Sequence, residues 1–477
     1  MVVTSSVRQP NCEVHAIRNA CRNRESNRML TLRGNVVPSA TSLDRRSFLT
    51  LGALPPLGLA LPQLLAASEQ STAPARKDVS IILFFMAGGP SHIDMYDMKP
   101  DQPAEVRGPF SPIETNLPGL SVCDLMPRHA AIADKLSVIR SITHDLSVHD
   151  DATHWLQTGY PLLNARQKGQ QNPSQGSVVS YFRSDAANAM PPYVCIPEDY
   201  RRHLGFYEHA AFLSSRHNAL DAGGDPSLGK YRPPNFALPK EINVGRIQDR
   251  RQLFGALDQL HRKTTSLPQF ADLDDVQQQS FELVCGSQAR EAFDLSQEPE
   301  QLRDRYGRHA YGQSALLARR LVESGVSFVT INLYEKDVDW WDDHYKIESN
   351  LRKRLPAYDQ ALSTLIEDLE ARGQRDRVLV AAFGEFGRAP RIDANAGRGH
   401  WAKAMHAVLS GGGLKDGQIV GSTTSNGGEP HDRPLKPADL LATMYHAIGI
   451  DQSATVIDRQ NRPIPILLEG EPIRELV

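Results

Sequence analysis

The chain lacks the short signatures that most directly declare an enzyme class. It contains no G-x-S-x-G nucleophile elbow, no G-x-x-x-x-G-K-[ST] phosphate loop and no G-x-G-x-x-G after a strand, which removes the serine-hydrolase, P-loop and dinucleotide-binding readings. Gly411-Gly412-Gly413 follows a strand-like run but opens no helix, so it reads as a tight turn. Cysteine is scarce: five residues, Cys12, Cys21, Cys123, Cys195 and Cys285, with no CxxC pair and no metal-ligand spacing. That excludes a cysteine-built zinc centre. There is no excess of positive charge either. A formal net charge of -3 argues against a nucleic-acid binder, which normally shows a basic surplus. The longest apolar run, Leu49 to Ala67, is broken by Pro55, Pro56 and Pro62, which disfavours a stable membrane-spanning helix. No internal repeat is present.

What remains is an enzyme-sized body behind an address. With 477 residues, 40% hydrophobic and 23% charged, the chain can bury one large α/β core. Leu43-Asp44-Arg45-Arg46-Ser47-Phe48-Leu49 carries twin arginines, followed by the mildly apolar run and then by small residues around Ala66-Ala67-Ser68 and Ala73-Pro74-Ala75. Residues 43–75 therefore read as a twin-arginine export signal, handled by its export machinery and placing the mature protein in the periplasm or outside the cell. Residues 1–42 are polar and read as an extension or an overlong gene start. Cys123, Cys195 and Cys285 remain in the mature part and form either one disulfide plus a thiol or three free thiols.

From Val79 onward strands alternate with helical patterns, which predicts a single α/β domain over 79–477 with a mostly parallel sheet and helices on both faces. Strands are expected at Val79–Met86, Leu136–Arg140, Tyr193–Pro197, Val326–Asn332, Val378–Ala382 and Met405–Leu409. Helices are expected at Asp124–Lys135, Asp150–Gln157, Gln175–Arg183, Ser314–Ser324, Leu351–Arg372 and Pro437–Gly449. A loop-rich insertion occupies about 198–245, and a helical insertion about 246–295, with amphipathic helices at Ile247–Lys263 and Leu273–Phe293.

Three of these strands end in chemistry. Val378–Ala382 runs into Phe383-Gly384-Glu385-Phe386-Gly387-Arg388, then Gly397-Arg398-Gly399-His400-Trp401. Gly384 and Gly387 are expected to turn the chain sharply. Val79–Met86 runs into Gly88-Gly89-Pro90-Ser91-His92-Ile93-Asp94-Met95-Tyr96-Asp97, and beyond Val326–Asn332 lies Asp339-Trp340-Trp341-Asp342-Asp343-His344. Ligands bind outside the carboxyl ends of strands in open α/β sheets. Two tryptophans imply that the last loop is partly buried, and a buried Asp/His loop needs compensation that a metal ion such as Zn²⁺ or Mn²⁺ supplies. His144, His149 and His154 lie five apart, so only some of them can face one site.

The stretches GGPSHIDMYDMKPD, RGPFSPIETNLPGL, RYGRHAYGQSALLARRLVESGVSFVT, GEFGRAPRI, GRGHW and GGGLKDGQIVGST resemble the family known as domain of unknown function 1501. That family is in turn remotely similar to the alkaline phosphatase and sulfatase superfamily of metal-dependent ester hydrolases. The resemblance implies an alkaline-phosphatase-like architecture and a metal after the first strand, at Asp94 or Asp97. It implies further ligands at Asp342 and His344, at Glu385 where the superfamily has Asp-His, and at His400. Against the sulfatase pattern C-x-P-S-R-x-x-L-x-T-G, Leu156, Thr158 and Gly159 match and His149 falls at the cysteine. Asp151, Ala152 and Thr153 stand at the proline, serine and arginine, which argues against a formylglycine mechanism. Gly399 also stands where the family usually has Asp.

The expectation is an exported hydrolase of phosphate or sulfate esters using one or two divalent ions (Zn, Mn, Ca or Mg). Asp94, Asp342, His344, Glu385 and His400 are the expected ligands. His149 is expected as nucleophile, ligand or donor at a helix N-terminus, and Arg388 as a bidentate clamp on the anion. An anionic ester such as a sulfated or phosphorylated carbohydrate is the implied substrate. The competing expectation is a non-catalytic extracytoplasmic module that binds carbohydrate or protein.

Overall fold

The computed structural model describes residues 53–54, 59–60, 78–162, 169–184, 190–196, 207–229, 231, 287–333 and 341–477. The chain divides into two units, residues 1–72 and 73–477. In the first, Ala53–Leu54 pairs antiparallel with Leu59–Ala60, within the segment expected to be an export signal. Among the described residues no helix is long and apolar enough to cross a membrane.

The second unit is built on an eight-stranded sheet. Its strands are β1 (Ser80–Phe85), β2 (Ser137–Ile142), β3 (Tyr193–Ile196), β4 (Leu220–Asp221), β5 (Phe328–Asn332), β6 (Val378–Phe383), β9 (Met405–Gly411) and β10 (Ile419–Val420). Two short strands outside it, β7 (Gly387–Arg388) and β8 (His400–Trp401), pair with each other. The order across the sheet is β10-β2-β9-β6-β1-β5-β3-β4. All the strands run the same way except β9, which is antiparallel to both neighbours. Strands β6, β1 and β5 are adjacent and parallel at the centre, so the three strand ends singled out in the sequence lie side by side.

The sheet is covered on both faces, which is what its uninterrupted apolar strands require. Alternate residues of β1 feed two separate cores. Ile82, Phe84 and Met86 pack with α3 (Ala310–Glu323) and α4 (Ile347–Ala371). Ile81, Leu83 and Phe85 pack with α1 (His149–Thr158), α2 (Gln175–Arg183) and α5 (Pro437–Ile448). The α/β class and the mostly parallel sheet thus follow from residues that alternate sides and are apolar on both.

Several local expectations are corrected. Asp124–Lys135 is not one helix but a short α-turn, Pro127–Ala131, and a 3-10 turn, Ala133–Lys135. Leu220–Asp221, inside the stretch read as a loop-rich insertion, adds β4 to the sheet edge. Cys123 and Cys195 are buried and form no disulfide among the described residues. Ile247–Lys263 and most of Leu273–Phe293 lie outside the described residues, as do Cys285, Asp339 and Trp340, although Ser287–Phe293 is helical.

Candidate metal centre

The site grows from the carboxyl ends of β1, β5 and β6. After β1, Gly88 and Gly89 take φ of +105° and +83°, a conformation only glycine adopts freely, and the turn aims the Gly88 amide at Glu385. Gly384 and Gly387 work differently from the sharp turns expected of them. Neither has a left-handed φ, and each is a glycine because there is no room for a side chain. A Cβ on Gly384 would lie 2.5 Å from the Met86 carbonyl, and one on Gly387 would lie 2.7 Å from His92 Nδ1. Close packing of the two loops, rather than a turn, fixes these positions.

Glu385 is fully buried. Its Oε1 accepts the Gly88 N–H at 2.8 Å, Oε2 accepts it at 3.1 Å, and Oε1 lies 2.5 Å from His149 Nδ1. His149 is the first residue of α1, whose N-terminus carries no side-chain cap. With Nδ1 bound to Glu385, the ring turns Nε2 toward Asp342 Oδ2 at 3.4 Å. That nitrogen is buried, and its contact with Asp342 is longer than an ordinary hydrogen bond. His400, on β8, is arranged in the same way. Its Nδ1 faces the Ser147 carbonyl at 2.8 Å, and its Nε2 lies 3.1 Å from Asp342 Oδ1. His344 completes the group, with Nε2 at 2.8 Å from His400 Nε2 and 3.1 Å from Asp342 Oδ1.

Charge follows this geometry. Burial works against a charged His149, but hydrogen bonds and attraction from Asp342 and Glu385 outweigh it and raise the imidazole to about 9. Asp342 is also partly buried, which alone would raise its pKa. The His149, His400 and Arg388 hydrogen bonds override burial and hold it far below the usual carboxylate range. His344 is lowered, first by desolvation.

The donor set suits a transition-metal ion. Ligand atoms of His149, Asp342 and His400 lie within 4.8 Å of one another. Both histidines have Nδ1 held by an oxygen and Nε2 turned inward, the tautomer and orientation that metal-binding imidazoles adopt. These three residues thus form a group able to hold a metal ion.

The expected residues divide into two sets. His149, Asp342, His344 and His400 are brought together, and Glu385 stands behind His149 as its orienting partner. Asp94 is placed elsewhere. It is fully buried in a bidentate pair with Arg398, at 2.7 Å (Nε to Oδ2) and 3.1 Å (Nη2 to Oδ1), and it accepts from Ser91 Oγ at 2.5 Å. Asp97 is bound to Lys99 at 3.0 Å and to Thr423. Arg388 is fully buried, and its guanidinium donates to Gly89 O at 2.8 Å, Arg398 O at 3.1 Å, Gly88 O and Asp342 Oδ1 at 2.5 Å. With its donors on protein acceptors and no exposure to solvent, it braces Asp342 rather than reaching an anion. His144 binds the Glu385 carbonyl at 2.9 Å and His154 the Tyr160 carbonyl at 2.7 Å, so His149 alone of that trio faces the cluster. Sequence reasoning missed Ser147, whose contribution is a backbone carbonyl that no side-chain pattern announces.

Among solved structures the chain is similar to a sulfatase from Pseudoalteromonas sp. (12% identity, TM-score 0.36, 80% of this chain and 70% of that one). It is also similar to a phosphonate monoester hydrolase from Silicibacter pomeroyi (10%, 0.35, 83% and 76%). A third is a protein of the alkaline phosphatase superfamily from Vibrio parahaemolyticus (11%, 0.34, 79% and 68%). Likenesses this distant say nothing of chemistry. No curated protein matches the chain. The family model described as "Protein of unknown function (DUF1501)" matches residues 78–477, nearly the whole second unit, and the chain belongs to that family.

Proposed function

We propose that the protein is an exported, metal-dependent hydrolase of phosphate or sulfate esters. The observation that carries this reading is the pair of histidines, His149 and His400, each locked at Nδ1 by an oxygen and converging through Nε2 on one carboxylate. A set of imidazoles around one carboxylate suits zinc better than magnesium or calcium, which prefer oxygen. When bound, such an ion supplies charge for the ester oxygens and lowers the pKa of a coordinated water.

The chain's own residues supply the rest. Glu385 and the Ser147 carbonyl fix the two imidazoles, so no reorientation is needed when an anion arrives. Arg388 holds Asp342 in place from beneath. The uncapped N-terminus of α1 offers backbone N–H groups and the positive end of the helix dipole to an anionic group. Among the described residues no serine, threonine or cysteine side chain hydrogen-bonds to His149, Asp342, His344, Glu385 or His400. This favours attack by water over a hydroxyl or thiol nucleophile. The same observation is what favours the competing reading, a binding module that keeps the site without turnover.

The test is hydrolysis of aryl phosphate and aryl sulfate monoesters by purified protein, before and after chelation and zinc replacement. Turnover that chelation removes and zinc restores supports the reading. No turnover with a fully loaded site would leave the binding module.

A further inference from the structure

The loop that carries His344 does not end at the cluster. His344, Tyr345 and Lys346 are consecutive, and Tyr345 is 46% exposed, one of the few large apolar side chains left in solvent. Lys346 then takes a left-handed backbone (φ 52°) at the start of α4, and Ala396 on the facing loop does the same (φ 57°). The two segments are stitched by Lys346 N–H to Asn395 O at 3.3 Å and Ile347 N–H to Ala396 O at 2.9 Å. Beyond this lip lies a groove of about 870 Å³ whose lining includes Arg107, Phe110, Lys346, Ile347, Arg352 and Ile392.

The groove has a charge as well as a shape. Its lining holds three cations, Arg107, Lys346 and Arg352, against one acid, Glu348, which pairs with Arg352 at 2.8 Å. Neither Arg107 nor Lys346 forms an ion pair among the described residues. Its apolar lining is limited to proline, alanine and isoleucine side chains and the largely buried Phe110 ring, over which Arg352 sits at 5.5 Å. The wall is rigid. Ile392 N–H binds Glu105 O at 2.7 Å, and the buried Arg398 of the Asp94 pair also binds Val106 O at 2.9 Å.

We infer that this groove is a subsite for the non-reacting part of a polyanionic carbohydrate, with Arg107, Lys346 and Arg352 holding its further sulfate or phosphate groups. The inference deepens the proposed function and rests on it only for the word substrate. A single ester group needs one cation and far less room. Separated cations over short apolar surfaces fit charged sugar rings, whose faces are apolar and whose edges are anionic. An acyl chain would need a long unbroken apolar channel, which this lining lacks.

The test measures binding apart from turnover. Calorimetry with size-fractionated dextran sulfate, and with neutral dextran as control, is carried out on the full chain and on R107Q/K346N/R352Q. Asn is used at 346 because it tolerates the left-handed backbone. The parent protein is expected to bind the sulfated oligomer and not the neutral one, with affinity falling as salt rises. The triple variant is expected to lose at least tenfold in affinity while its hydrolysis of a small aryl monoester stays unchanged. R107Q/R352Q, which leaves the strained backbone untouched, serves should the triple variant melt early, and is expected to lose several-fold. Equal binding of neutral dextran, no binding by the parent, or undiminished binding by both variants would overturn the groove. Binding by the groove with no monoester turnover would sink the hydrolase reading and leave the groove standing.

Discussion

Glu385→Gln is the most informative single change, because it alters charge at a fixed shape behind the proposed ligand His149. The carboxylate is fully buried and its Oε1 serves both the Gly88 amide at 2.8 Å and His149 Nδ1 at 2.5 Å. A glutamine whose amide oxygen takes the Oε1 position keeps both bonds, but its NH₂ then faces the Gly88 N–H that Oε2 now meets at 3.1 Å. What is lost is the charge. Hydrogen bonds to ionised groups contribute about 1.5–3 kcal/mol, against about 0.5–1.5 for neutral ones. The imidazole therefore loses on the order of 1–2 kcal/mol of anchoring and some of its basicity. Zinc affinity is expected to fall about tenfold, the lower end of the roughly ten- to hundredfold seen when orienting partners are removed. The assay is competition against a chromophoric chelator at fixed pH, with thermal melting as the control for folding. Unchanged affinity in a well-folded variant would show that His149 does not bind metal through the ring that Glu385 orients.

Three further outcomes follow from separate features. A Cβ at Gly399 would meet nothing within 4 Å, so Gly399→Asp is expected to fold normally and to raise zinc affinity on the order of tenfold or more; equal affinity in the same competition assay would show that the missing acid is immaterial. Burial lowers His406 from 6.5 to about 3, with nearby His92 adding to it, and burial followed by Arg216 lowers His217 to about 4. Because the folded protein resists protonating them, stability is fully present above about pH 6.5 and falls as pH drops toward 4, by up to a few kcal/mol for each group. Urea unfolding of chelator-treated protein checks this, and a slope that persists in the His217→Gln, His406→Gln double variant would assign it elsewhere. Replacing Arg45 and Arg46 together by Lys is expected to leave precursor in the cytoplasm, as read by fractionation, whereas normal secretion would show that the pair is not an export signal.

The central fold was legible because it rests on local pattern. Apolar runs at Val79, Val326 and Val378 identify strands buried on both faces, and their polar ends identify one edge, where β1, β5 and β6 stand together. Strand direction was not legible. Met405–Gly411 is as apolar as its neighbours, and nothing in its composition reveals that it runs antiparallel. Of the site, residue type identified His149, Asp342, His344 and His400, since imidazole and carboxylate near a strand end are uncommon without a use. Partner choice was hidden. Asp94 and Asp342 look equivalent in sequence, yet Asp94 meets Arg398 across 304 positions while Asp342 meets three imidazoles. The same holds for Glu385 and Arg388, whose roles depend on what lies behind them. Gly384 and Gly387 show the limit from the other side: the residue was visible, but steric crowding rather than a turn explains it.

Elemental analysis of the protein purified from its exported form tests the metal centre most directly. About one equivalent of a divalent transition ion per chain is expected, lost in His149→Ala and in His400→Ala while melting shows both variants folded. Parent protein that carries no such ion, and takes up none from added zinc at micromolar concentration, would contradict it.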